Sequence, residues 1–317
     1  MVSPLSYPKD HVKTESRKIL ALDTWHLALF LREAPVNNRI QTGLLLLALG
    51  MAVPAWGEDP NWLMWKGEVA FSGGLDEFRA MKILPYKDPK QKRIVYGDMR
   101  GRLHILQYLK NGFREEWTSP NLKSAVMEVF VEDMDGDGRM EIVAYTERGK
   151  IVFYDPEDYQ LIWQNQETDF KAITTLKIDD VDDDPNKELV FCADNRANEN
   201  DRPQYHLYIY DGKGRFQEWV SEQEYPLVQK SASVASSGGP TDLVIGDLDG
   251  DGEKDIVLNS GYVIDARFKT VKWHSTEPFG EQMGLLDVDS DGIPEIIAQV
   301  SGRFLKVFSV VQRREKL

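Results

Sequence analysis

Sixteen carboxylates stand in four short loops of this chain, at the same four positions of each loop. The sets are Asp133, Asp135, Asp137 and Glu141; Asp180, Asp182, Asp184 and Glu188; Asp247, Asp249, Asp251 and Asp255; and Asp287, Asp289, Asp291 and Glu295. Counted from the first Asp, every loop has acids at positions 1, 3, 5 and 9. Alternate acids on a tight turn aim hard oxygen donors at one point. That suits calcium, which takes roughly six to eight oxygens in adaptable geometry. Glycine at position 6 (Gly138, Gly252 and Gly292) permits the sharp turn, whereas the Asp180 loop has Pro185 there. The loops contain no His or Cys, which disfavours zinc and copper; magnesium fits an all-carboxylate cage less well. An EF-hand needs its Glu at position 12, where this chain has Ala144, Phe191, Leu258 and Ala298. Four clusters of like charge would repel themselves without a counter-ion. Structural Ca²⁺ at three to four sites is therefore expected.

Little else in the chain points to chemistry. Among the five histidines, His104 and His206 fall at matching places of equivalent apolar segments, which suggests packing, and His274 follows Trp273 with no evident partner. No G-x-S-x-G elbow, H-E-x-x-H, P-loop or dinucleotide fingerprint is present, so no catalytic residue is assigned. The single cysteine, Cys192, cannot form an internal disulfide and reads as a core residue.

The elements that must hold these loops read as strands. Each loop runs into an apolar pair: Ile142-Val143, Leu189-Val190, Ile256-Val257 and Ile296-Ile297. A second strand pattern follows, as in 150–154, 205–210 and 304–308, and then a tryptophan strand at Trp117, Trp163, Trp219 and Trp273. Short strands in a fixed order, repeated with turns between them, predict propeller blades. A fifth, degenerate copy covers residues 93–106; its loop positions are Pro85, Lys87, Pro89 and Arg93, so no ion is expected there. The last repeat stops without a tryptophan strand, and Asn61–Trp65 is a tryptophan strand without a repeat. Pairing the two would close the ring. The expectation is an all-β propeller of five four-stranded blades over 56–317, with a sixth blade as the alternative in the long Asp180–Asp247 interval. The loops at 195–203 and 230–240 are candidate ligand contacts.

Residues 43–53 (GLLLLALGMAV) are too short to span a bilayer comfortably and suit a signal-peptide core. They place a targeting region at 1–55 and imply a secreted, periplasmic or cell-surface protein with no stable membrane span after cleavage. Residues 1–35 exceed a usual leader, which raises the alternative that translation starts near Val36. The net charge of −14 repels phosphate backbones and argues against nucleic acid.

The segments DMDGDGRME, DLDGDGEKD and DVDSDGIPE, with Phe279-Gly280 before the last, resemble the FG-GAP/VCBS repeats of integrin α-subunit propellers and bacterial surface proteins. DVDDDPNKE keeps the acids but lacks the glycine, and the family's Gly-Ala-Pro element is missing. The resemblance implies a calcium-stabilised, monomeric binding or scaffold module for a protein or glycan. Propellers of this type also accompany polysaccharide lyases and phospholipase-like hydrolases, which is the alternative reading.

Overall fold

The computed structural model describes residues 78–85, 92–109, 112–182, 184, 186–198, 200–226 and 238–316. The targeting region, Trp62, Trp65 and the Asn61–Trp65 strand lie outside the described residues, as does most of the 230–240 loop. Among the described residues there are twenty strands and no helix, arranged as five four-stranded antiparallel meanders. Sheet 1 contains β1 (Phe78–Leu84), β2 (Lys92–Asp98), β3 (Leu103–Leu109) and β4 (Gly112–Thr118). Sheet 2 contains β5 (Val126–Glu132), β6 (Glu141–Thr146), β7 (Ile151–Tyr154) and β8 (Leu161–Gln164). Sheet 3 contains β9 (Ala172–Asp179), β10 (Glu188–Asp194), β11 (Tyr205–Asp211) and β12 (Gln217–Val220). Sheet 4 contains β13 (Leu243–Gly246), β14 (Asp255–Leu258), β15 (Tyr262–Asp265) and β16 (Val271–His274). Sheet 5 contains β17 (Gln282–Leu286), β18 (Glu295–Val300), β19 (Phe304–Ser309) and β20 (Arg314–Glu315). The fold is a β-propeller with five blades, and the long Asp180–Asp247 interval contributes a single sheet.

The middle strands show why the chain stacks as blades. Every residue of β6, β7 and β10 is buried, and the pleat divides them between two cores. Ile142 and Ala144 face the core shared with sheet 1, while Val143 and Tyr145 face the core shared with sheet 3. Likewise Leu189, Phe191 and Ala193 point to sheet 2, and Val190 and Cys192 to sheet 4. Each fully buried aliphatic or aromatic side chain contributes about 1.5–3 kcal/mol, so a sheet without neighbours on both faces would be strongly destabilised. The outer tryptophans are half-buried against these cores: Trp117, Trp163, Trp219 and Trp273 each join a different one. Their recurrence is a packing role.

Polar ties run between blades as well. Lys187 pairs with Glu132 at 2.6 Å and Lys254 with Asp179 at 2.7 Å, in each case reaching the acid just before the preceding blade's loop. Nearer the first strands, Lys177 of β9 pairs with Glu128 of β5 at 3.4 Å, and the Met283 N–H donates to Asp242.

One detail departs from the sequence reading. The last sheet does have a fourth strand of its own, β20, which pairs with Phe308 and Ser309. It carries no tryptophan and is only two residues long, so the strand pattern gave no sign of it.

Candidate metal centres

Each acidic loop bridges the first and second strands of its sheet, and its position-9 acid opens the second strand. Glu141, Glu188, Asp255 and Glu295 are all buried there. Each accepts the N–H of loop position 2: Met134 at 2.9 Å, Val181 at 2.7 Å, Leu248 at 3.2 Å and Val288 at 3.1 Å. The position-1 acid closes the turn. Asp133 accepts the N–H groups of Gly136 and Gly138, Asp247 those of Gly250 and Gly252, and Asp287 those of Asp291 and Gly292. The position-6 glycines have φ of 85°, 89° and 89°, and an added Cβ would meet nothing within 4 Å. The left-handed backbone, not crowding, is what requires glycine there.

The sixteen acids thus fall at equivalent places in sheets 2 to 5. Oxygens of Asp133, Asp135 and Glu141 lie within 4.8 Å of one another, as do those of Asp180, Asp182 and Glu188, and those of Asp247, Asp249 and Asp251. Such hard-oxygen sets, anchored by a buried carboxylate, fit a calcium ion.

The Asp180 loop is the richest. Asp184 and Glu188 also cluster with Asp211, and Asp182 and Asp184 with Glu218, which brings six acids together. Among the described residues none of the six has an ion pair. Glu188 is fully buried, and its Oε1 has no hydrogen-bond partner; neither does Asp180 Oδ1. Pro185 has no N–H for Asp180, unlike the glycines at position 6 of the other loops. Burial pushes the Glu188 carboxyl up to about 8 despite the Val181 N–H, with Asp182, Glu218 and Asp184 adding to the rise. Burial also raises Glu218, with Asp182 and Asp211 contributing. Lys269 feels Asp182, Glu218 and Glu188 but forms no ion pair with them, and burial draws it below its usual range.

Asp211 and Glu218 were not singled out in the sequence. The signal for Asp211 was there: an Asp ends or directly follows the third strand of three blades (Asp155, Asp211 and Asp265), where it accepts a turn N–H from Glu157, Gly214 or Phe268. Glu218 is the residue before the outer-strand tryptophan. In sheets 1 to 4 that residue is the extra one of a β-bulge: Glu116, Ile162, Glu218 and Lys272. A bulge re-aims its side chain. In sheet 4 the re-aimed ammonium of Lys272 lies 2.9 Å from Asp249, 2.9 Å from Asp251 and 3.0 Å from Asp255. In sheet 5 Lys316 contacts Asp289, and Glu295 at 2.8 Å. Burial raises Asp255 to about 6, against the pull of Lys272.

Sheet 1 replaces the whole arrangement with one cation. Arg93, buried at position 9, donates to the carbonyls of Pro156 at 2.8 Å and Pro85 at 3.1 Å. The three histidines among the described residues, His104, His206 and His274, contact neighbouring side chains and strands. His104 bridges Asp98 at 3.1 Å and Glu115 at 2.7 Å, with its ring stacked on Tyr96. His206 bonds the Ser221 carbonyl, and His274 stacks on Tyr262. Cys192 is fully buried in the core between sheets 3 and 4.

A family model described as an FG-GAP-like repeat matches residues 180–258, which span the third and fourth loops. No curated protein sequence matches the chain. Among solved structures, Sqt1 of Saccharomyces cerevisiae is 11% identical, with a TM-score of 0.53 over 77% of this chain and 62% of that one. BBS1N in complex with ARL6DN is 12% identical (TM-score 0.49, 76% and 67% covered). BamB from Moraxella catarrhalis is 13% identical (TM-score 0.46, 76% and 63% covered). The chain spans about three fifths of the length of Sqt1 and of BamB. At such identity the likeness to Sqt1 bears on the fold alone.

Proposed function

Taking the chain as a β-propeller with an FG-GAP-like repeat at residues 180–258, we propose that it is a calcium-stabilised, extracytoplasmic binding or scaffold module for a protein or glycan. The observation that carries the calcium reading is the bare, buried Glu188 Oε1 among acids that have no ion-pair partner. A divalent cation supplies what that oxygen lacks, and it offsets the repulsion within the cluster. In these sites calcium neutralises charge and fixes a turn between two strands. It is not asked to activate water.

The binding reading is supported by the employment of the polar groups. His104, Glu128, Lys177 and Asp242 each serve a neighbouring strand or blade, as a scaffold requires. Export is proposed from the apolar run at 43–53 alone.

The test is capture from an envelope extract on immobilised protein, in calcium and in chelator, together with a polysaccharide and phospholipid turnover panel. Calcium-dependent capture of a defined protein or glycan, with no turnover, is expected. Turnover abolished by chelation would replace this reading with the enzymatic one.

A further inference from the structure

We infer that the residue brought to each loop by the outer-strand segment of its sheet selects the cation, so that sheets 4 and 5 carry their own ammonium while sheets 2 and 3 take the divalent ion. This rests on the calcium reading above and sharpens it. The four loops have acids at the same positions but different neighbours. In sheet 4, Lys272 Nζ sits within 3.0 Å of three loop carboxylates and 3.5 Å from Asp265. Its ammonium donates a hydrogen bond to Asp251 and lies at ion-pair distance from Asp249 and Asp255. Although Asp249 Oδ1 and Asp255 Oδ1 have no hydrogen-bond partner, a positive charge already stands among the three acids. The position is the one where the oxygens of Asp249, Asp251 and Asp255 converge, so calcium could enter only by expelling Lys272.

Sheet 5 reaches the same result by another route. The chain passes through β20 and brings Lys316 onto Asp289 and Glu295, with the Lys316 N–H held by the Val307 carbonyl. Here the lysine comes from beyond the outer strand, not from a bulge.

Sheet 3 has the opposite substitution. The bulge delivers Glu218, adding a carboxylate where sheet 4 adds an ammonium. Together with Asp211 it makes a six-acid cluster with unpartnered buried oxygens on Asp180 and Glu188. The missing glycine at position 6 therefore does not make this the weak loop. The absent N–H leaves Asp180 free for an ion. Sheet 2 has the neutral Ile162 at the bulge, and its one loop ion pair, between Asp137 and Arg139, is exposed.

Calcium per protein, measured by equilibrium dialysis of the full chain against CaCl₂ after chelation, tests this. The wild type should bind two ions. Asp182→Asn should lose one, and Asp249→Asn none. Lys272→Gln should gain one ion, which the added Asp249→Asn change should remove again, whereas Lys272→Arg should gain none. Circular dichroism confirms that each variant is folded. Loss of an ion from Asp249→Asn in the wild-type background, or no gain in Lys272→Gln, would overturn the inference while leaving calcium binding itself intact. A wild type that binds no calcium, with a Lys272→Gln variant that binds one, would support the selector role of residue 272 and refute the calcium reading.

Discussion

Glu188→Gln should stabilise the chelated protein, and added calcium should remove part of that gain. In the metal-free protein Glu188 is fully buried, with Asp182, Glu218 and Asp184 close enough to oppose its charge. Its carboxyl titrates at about 8 in the fold, against an ordinary value near 4.3 in the unfolded chain. The sign follows from linkage. A raised folded value means that the folded state keeps a proton which the unfolded state has released. The associated stability is complete below about pH 4 and is lost as pH rises toward 8. At pH 7 the loss is about 4 kcal/mol, taking about 1.4 kcal/mol for each pH unit between 4.3 and 7. Glutamine keeps an acceptor for the Val181 N–H and places a donor where the bare Oε1 was. It should therefore stabilise the chelated protein by up to that amount. With calcium the gain shrinks. An ion bound at about 1 mM affinity and supplied at about 10 mM contributes about 1.4 kcal/mol, and the variant forgoes it. Urea denaturation at pH 7, in chelator and in calcium, measures both arms. A variant destabilised equally in the two conditions would refute the reasoning, because Glu188 would then be a structural hydrogen-bond acceptor and nothing more.

Two further substitutions test the frame around the loops. Phe279 is fully buried between sheets 4 and 5, with ring centroids 5.3 Å from Trp273 and 5.0 Å from Phe308. Phe279→Ala should cost about 3–5 kcal/mol in urea denaturation, and a cost below about 1 kcal/mol would mean that the two sheets share no core. Arg93→Met leaves the Pro156 and Pro85 carbonyls without the guanidinium that joins sheets 1 and 2. A loss of about 2–4 kcal/mol is expected, with Arg93→Lys recovering only part of it because the planar fork is lost. An unchanged urea midpoint in Arg93→Met would count against the guanidinium as the cation of sheet 1.

Much of the fold was legible because its signals are local. An acidic turn, an apolar pair and a tryptophan strand recur in fixed order, and sheets 2 to 4 contain all three as expected. The buried position-9 acids were also legible, since they stand next to the apolar pair that pins them. What escaped depends on how the sheet folds back. Lys272 is 21 residues beyond Asp251, and only the β15–β16 bulge returns it to the loop. Glu218 and Asp211 reach the Asp180 loop in the same way, across β10–β11 pairing and the β11–β12 bulge. The sequence shows Pro185 in place of the glycine but not the neighbours that give the exchange its meaning. Asp211 and Glu218 cluster with the acids of this loop, and Asp180 Oδ1 has no hydrogen-bond partner. β20 was missed because two exposed residues, Arg314 and Glu315, carry no strand pattern; backbone pairing with Phe308 and Ser309 alone makes them a strand.

Thermal unfolding of the chelated protein, repeated after calcium is restored and paired with titration calorimetry, bears most directly on whether these loops are ion sites. Two ions of about 0.1–1 mM affinity at about 10 mM calcium contribute about 3–5 kcal/mol together, which for a domain of this size raises the midpoint by roughly 6–20 °C. Such a rise, with saturable heat, is the expected result; an unmoved midpoint and a flat titration would contradict it.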